Sequence, residues 1–159
     1  MGRGKNISRA AYEIAELLQM ARTHAMANNI SVEIGFHEDA EGLLAAVIAE
    51  REFGENDFVQ IGRVRRFPSV RLNPIPANNP VRPVADARIS QLADGIANFT
   101  LGGREFNRVI HFNSRGEAQV ARDSLSRVIE VDLIPNVPGA NSAAVQVTAL
   151  AGGVKVYRP

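Results

Sequence analysis

Cysteine is absent from all 159 residues. That excludes disulfides, thiol catalysis and cysteine-based zinc sites in one step. It leaves the compartment open, because a disulfide-free domain can sit on either side of a membrane. Net charge is nearly lacking as well: 18 Lys and Arg against 17 Asp and Glu give +1. The total charge therefore implies no strong attraction to nucleic acid or to a membrane surface. No apolar run is long enough to cross a bilayer. The opening Met-Gly-Arg-Gly-Lys-Asn has no apolar core and so is not a signal peptide. Neither an internal repeat nor a low-complexity tract is found. What remains is a chain of ordinary composition, long enough for one domain with a real core.

The clearest pattern lies near the start. Ile7, Ala10, Ala11, Ile14, Leu17, Leu18, Ala21 and Ala25 recur at three- and four-residue steps, placing them on one stripe of a helix over residues 8–29. Tyr12, Glu16, Gln19 and Thr23 fall opposite. Ser8 is the expected amino-terminal cap. Asn28 and Asn29 are the expected stop, since Asn tolerates the left-handed conformation. Ile14, Leu17, Leu18, Ala21 and Ala25 are the residues expected to hold this helix against a sheet.

The rest reads as strands. Residues 31–36 alternate, with Val32, Ile34 and Phe36 on one face. Residues 37–42 are polar, end in Gly and read as a hairpin connection. Residues 43–50 read as a strand covered on both faces and paired with 31–36. Pro68 makes any strand within 57–72 short or an edge. Four prolines within 73–83 favour an extended surface loop. Signals over 85–101 are mixed: Ile89, Leu92, Ile96 and Phe99 suit a short helical turn or a self-packed loop. Strand 109–112, the turn 113–116 and a returning strand 117–121 follow. Residues 127–134 and 143–150 then alternate, with a Pro/Gly/Asn loop over 135–141 between them. Gly152-Gly153 turns the chain into a last strand, 154–157. One long helix ahead of short strands makes an α+β domain, the helix packed on antiparallel sheet.

No catalytic, cofactor-binding or metal-ligating residue emerges. His24, His37 and His111 lack ligand spacing and read as partly exposed structural histidines. No serine sits in a nucleophile elbow. Glu38, Asp39 and Glu41 cluster without the spacing of a calcium loop and read as a solvated tip. Gly102-Gly103 and Gly152-Gly153 lack the context of a phosphate loop. Arg63, Arg65, Arg66 and Arg71, with Phe67 among them, suit single-stranded nucleic acid. They equally suit an edge strand protected by charge, or pairing with acids such as Glu50, Glu52, Glu55 and Asp57.

Three stretches carry a family likeness. They are the helix end Ala21-Arg22-Thr23-His24-Ala25 running into a strand, the Val109-Ile110-His111-Phe112-Asn113-Ser114-Arg115-Gly116 hairpin, and the closing pair Ala144-Val145-Gln146-Val147 and Gly152-Gly153-Val154-Lys155-Val156-Tyr157-Arg158. Their order and spacing resemble type IV pilin-like proteins, most of all the H-type minor pseudopilins of type II secretion and related minor pilins. The resemblance covers both ends and the middle of the chain; residues 51–106 match little. It implies a non-catalytic fibre subunit without cofactors. Its domain would lie in the periplasm, on an inner-membrane anchor. Its partners would be other pilin-like subunits, with secreted cargo or DNA as further candidates. That family's leader, Gly–Phe cleavage site, early Glu and apolar half-helix are not in this sequence. Residues 1–7 are therefore expected to replace a leader and anchor, with 8–159 as a single pilin-like domain, and membrane contact would run only through a helix this chain lacks. A DNA-binding minor pilin and a small-ligand binding module are the alternative readings.

Overall fold

The structure is a computed structural model, and it describes residues 3–50, 58–74, 82–91, 98–120, 127–136 and 142–158. Among the described residues, helix α1 (Arg3–Asn28) precedes two five-stranded sheets, antiparallel but for one short strand, and a small separate hairpin. All eight stripe residues from Ile7 to Ala25 are buried, whereas Tyr12, Glu16, Gln19 and Thr23 are exposed. The amino-terminal end corrects the expectation. The helix starts at Arg3, so Ser8 lies in its second turn and is no cap. Ile7 is fully buried, and its place in the core carries the helix past residue 8. The carboxyl end agrees with the reading. Asn29 takes a left-handed φ of 53°, and the Ile30 N–H reaches back to the Ala25 carbonyl at 3.1 Å, closing the helix in a Schellman turn.

The first sheet runs β3 (Phe58–Pro68), β2 (Gly42–Glu50), β1 (Val32–Asp39), β8 (Arg108–Phe112), β9 (Ala118–Gln119). Strand β1 runs three residues past its expected end: His37, Glu38 and Asp39 pair with Leu44, Leu43 and Gly42. The connection shrinks to Ala40-Glu41, because the Asp39 carboxylate accepts the N–H groups of Glu41 (2.9 Å) and Gly42 (3.1 Å) and closes the turn itself. Strand β2 is buried on both faces, as read from its continuous apolar run. Leu43, Ala45, Val47 and Ala49 join the core under the helix; Leu44, Ala46 and Ile48 join a second, smaller cluster.

That second cluster explains the mixed signals around residue 100. Strands β6 (Phe99–Leu101) and β7 (Arg104–Phe106) form a hairpin over the outer face of the first sheet. Gly102 and Gly103 make its turn, with φ of 55° and 77°. Phe99 and Phe106 stack at 5.2 Å. Gly35 is what lets them approach, since a Cβ there would stand 2.6 Å from the Phe99 ring. Of the other residues read over 85–101, Ile89 begins a short 3-10 turn (Ile89–Gln91) and is buried. Leu92 and Ile96 lie outside the described residues.

Strand β3 is an edge, as Pro68 required, but eleven residues long. A bulge opposite Ala46 interrupts its pairing. Ser69, at φ 60°, turns the chain out of this sheet and into the second. There the order is β12 (Val154–Tyr157), β11 (Ala143–Thr148), β10 (Val128–Pro135), β4 (Val70–Leu72), with β5 (Ala87–Arg88) parallel to β10. The part of loop 73–83 at 75–81 lies outside the described residues, as do 121–126 and most of 135–141. Helix α1 touches strands of both sheets, and its stripe shares one core with Ile34, Phe36 and Phe112 of the first and Val131, Leu133 and Val145 of the second.

One helix side chain ties this layer to the turns of both sheets. The Arg22 Nε donates to the Gly116 carbonyl at 3.2 Å. Gly116 and Gly152 both hold positive φ, 79° and 65°. A Cβ on either would strike the Arg22 side chain. Arg22 thus runs between the β8–β9 turn and the β11–β12 turn.

Candidate functional site

Two polar clusters stand out on this frame. The first gathers the acidic tip of the β1–β2 hairpin and two of the four arginines singled out in sequence. Arg66 donates twice to the Asp39 carboxylate, at 2.9 and 2.8 Å, and lies 3.7 Å from Glu41. Such forked pairing is the geometry guanidinium and carboxylate prefer. The Arg66 fork, with the Glu41 N–H, holds the Asp39 carboxyl well below its ordinary range. Arg71 lies 3.6 Å from Glu38 and donates to Asn136 Oδ1 at 2.6 Å. Burial pushes Glu38 upward, with Arg71 opposing it. Glu38, Asp39 and Glu41 are therefore ion-pair partners, not merely a solvated tip. The reason is register: β3 and β4 run back past the end of β1, carrying Arg66 and Arg71 to it.

Arg63 and Arg65 are exposed on the edge strand, and neither makes an ion pair with a described residue. The four arginines are thus split into two that hold the hairpin and two that face solvent. Of the acids proposed as partners, Glu52, Glu55 and Asp57 lie outside the described residues. The three histidines are each half-exposed. His37 Nδ1 lies 2.7 Å from the Glu105 carbonyl, and His111 sits opposite Glu33 across the β1–β8 pair. Beside His37 opens a cleft of about 230 Å³ lined by Phe36, Glu38, Leu72, Glu105, Asn107 and Arg108, below the usual size of a small-molecule site.

The second cluster was not read from the sequence. Glu130 and Asp132 share the face of β10 turned away from the helix, and they are 0 % and 1 % exposed. Arg82 lies over them, donating to Glu130 at 2.9 Å and to Asp132 at 3.2 Å. Arg88 reaches Glu130 at 3.4 Å, and Gln146 donates to Glu130 at 3.0 Å and to the Pro83 carbonyl at 2.7 Å. Asn73 donates its backbone N–H to the Asp132 carbonyl at 2.8 Å and its side chain to Oδ1 at 3.4 Å. The signal in the sequence was two acids alternating with Ile129, Val131 and Leu133. Alternation alone makes such acids look solvated; Arg82 at the end of the proline loop and Arg88 beyond it cover them instead.

Among the described residues no group of three or more His, Asp or Glu is placed to hold a metal ion, and no helix is long and apolar enough to cross a membrane. The class of protein so defined is an α+β domain, one amino-terminal helix packed on antiparallel sheets. The sequence matches no family model, and no curated protein or solved structure matches it.

Proposed function

We propose that this chain is a non-catalytic pilin-like subunit of a type II secretion pseudopilus or a type IV pilus. Its domain would stand in the bacterial periplasm on an inner-membrane anchor and assemble with other pilin-like subunits. The observation that carries the proposal is the long helix laid along two antiparallel sheets, with its far end clipped by Arg22 to the 113–116 and 152–153 turns. These are the stretches on which the sequence likeness rests. A buried stem ending in sheet turns is a rigid unit suited to side-by-side stacking. Site-specific photocrosslinking from Tyr12 and Gln19, on the exposed helix face, tests it in cells expressing the native gene. The expected result is crosslinks to pilin-like subunits in the membrane fraction. Recovery in the cytosol with no such crosslink would reject it.

A second reading, contact with nucleic-acid phosphates during DNA uptake, is favoured by the exposed Arg63 and Arg65. It expects a mobility shift of single-stranded DNA that weakens steeply with salt and is lost in Arg63→Ala/Arg65→Ala. Arg66 and Arg71 are excluded from that test because their loss would break the hairpin contacts. Absence of binding at low salt would end this reading.

A further inference from the structure

The segment from Arg82 to Arg88 packs Ala85 and Ala87 inward and pairs with β10 at Ala87 and Arg88, and polar side chains supply the rest of its hold on the second sheet. Arg82 and Arg88 meet Glu130 and Asp132, and Pro83 meets Gln146. Asp86 accepts the N–H groups of Arg127 at 2.6 Å and Val128 at 2.7 Å. We propose that Glu130 and Asp132 form a proton-operated clamp, in which a proton on Asp132 tightens the Arg82–Arg88 segment against β10 and its loss loosens it.

The geometry sets the direction. Two carboxylates on alternate residues of one strand face the same way, and both are removed from water. With both ionised, their repulsion works against the attraction of Arg82. With Asp132 protonated, its hydroxyl can donate to the Glu130 carboxylate, which keeps its hydrogen bonds from Arg82, Arg88 and Gln146. Among the described residues, the other groups around the pair are Asn73 beyond β4, Arg71 on β4 two residues along, and Lys155, which lies opposite Gln146 on β12. Asn73 is neutral, and Lys155 is exposed and separated from the acids by the Gln146 strand.

The electrostatic environment of the two carboxyls runs the same way. Burial, then the neighbouring Glu130, pushes Asp132 up from 3.8 to about 6. Burial also pushes Glu130 upward, but the bonds from Gln146 and Arg82 outweigh it and leave the group below its ordinary range. Opening the segment returns Asp132 to water and to its ordinary range, so opening releases a proton. A carboxyl raised in the closed form stabilises that form least when ionised. The hold is therefore fullest near pH 4, declines as pH rises above that, and has lost the contribution of Asp132 once pH has passed through about 6. The lower limit is set by Glu130, whose contribution is lost only when pH falls through its depressed value.

Hydrogen exchange of a peptide spanning residues 82–91, corrected for the intrinsic pH dependence of exchange, reads this directly. Between pH 5 and pH 7.5 the opening equilibrium of the wild-type segment should rise roughly 10-fold, as follows for a carboxyl at 3.8 when open and about 6 when closed. Asp132→Asn, which can accept from Arg82 and donate to Glu130 at every pH, should flatten the dependence and keep the segment closed at pH 7.5. Glu130→Gln removes the repelling charge and should move the transition to lower pH, a displacement that simple loss of packing would not give. Equal pH dependence in the wild type and Asp132→Asn would overturn the proposal. So would exchange of this segment only through global unfolding at both pH values.

Discussion

Replacing Leu18 by Asp should destabilise the domain by more than about 4 kcal/mol. Leu18 is fully buried at the middle of the stripe, in the core shared by the helix and both sheets. Truncation to Ala alone would cost about 2–5 kcal/mol, through lost transfer energy and the cavity left behind. Asp adds a carboxylate with no partner in an apolar seam. Domains of this size have about 5–15 kcal/mol in total, so the change consumes much of it. Urea unfolding followed by circular dichroism would give the value. An unchanged midpoint would mean that the seam between helix and sheets is not where the stability lies.

Gly42→Ala should be the other severe change, at about 3 kcal/mol or more. Gly42 holds φ 145°, a conformation open mainly to glycine, and strain of that kind costs about 1–3 kcal/mol. A Cβ there would also fall on the Phe67 carbonyl oxygen, a backbone atom with nowhere to go. The residue stands where the β1–β2 turn meets the corner between the sheets. Gly42 pairs with Pro68, the Ser69 N–H reaches the Glu41 carbonyl at 3.2 Å, and the Asn136 N–H reaches the Ser69 carbonyl at 2.8 Å. The variant should therefore disturb both sheets. Amide chemical shifts of β4 and of Asn136 should move along with those of β2. A perturbation confined to residues 40–43 would contradict this account.

The helix was legible because its period is long and clean, and each residue assigned to the seam is buried: Ile14, Leu17, Leu18, Ala21 and Ala25. Strand β2 was legible for a different reason. Eight apolar or small residues in a row directly after a turn fit a strand covered on both sides, despite their helical propensity. The errors arose where local chemistry yields to distant partners. Ser8 has the chemistry of a cap, but burial of Ile7 extends the helix beyond it. His37, Glu38 and Asp39 look like loop residues, yet β3 and β4 bring Arg66 and Arg71 to them, pairs 27 and 33 positions away in the chain. Glu130 and Asp132 look like the wet side of a strand, because nothing within β10 tells that Arg82 will cover them. The arginine cluster was visible, but its division into Arg66 and Arg71 on the hairpin and Arg63 and Arg65 in solvent depends on pairing that only the fold reveals.

Arg22 has a mechanical consequence. It lies just ahead of the Ala25–Asn29 closing turn, and it engages one turn from each sheet. A force drawn along α1 from its amino end would meet the sheets in shear, shared among the buried side chains from Ile7 to Ala25 and arrested at the far end by a guanidinium lodged between two glycine corners. Rolling the rod about its own axis would have to drag both corners with it. Load applied to the stem is thereby distributed to the two sheets together instead of peeling either one away first.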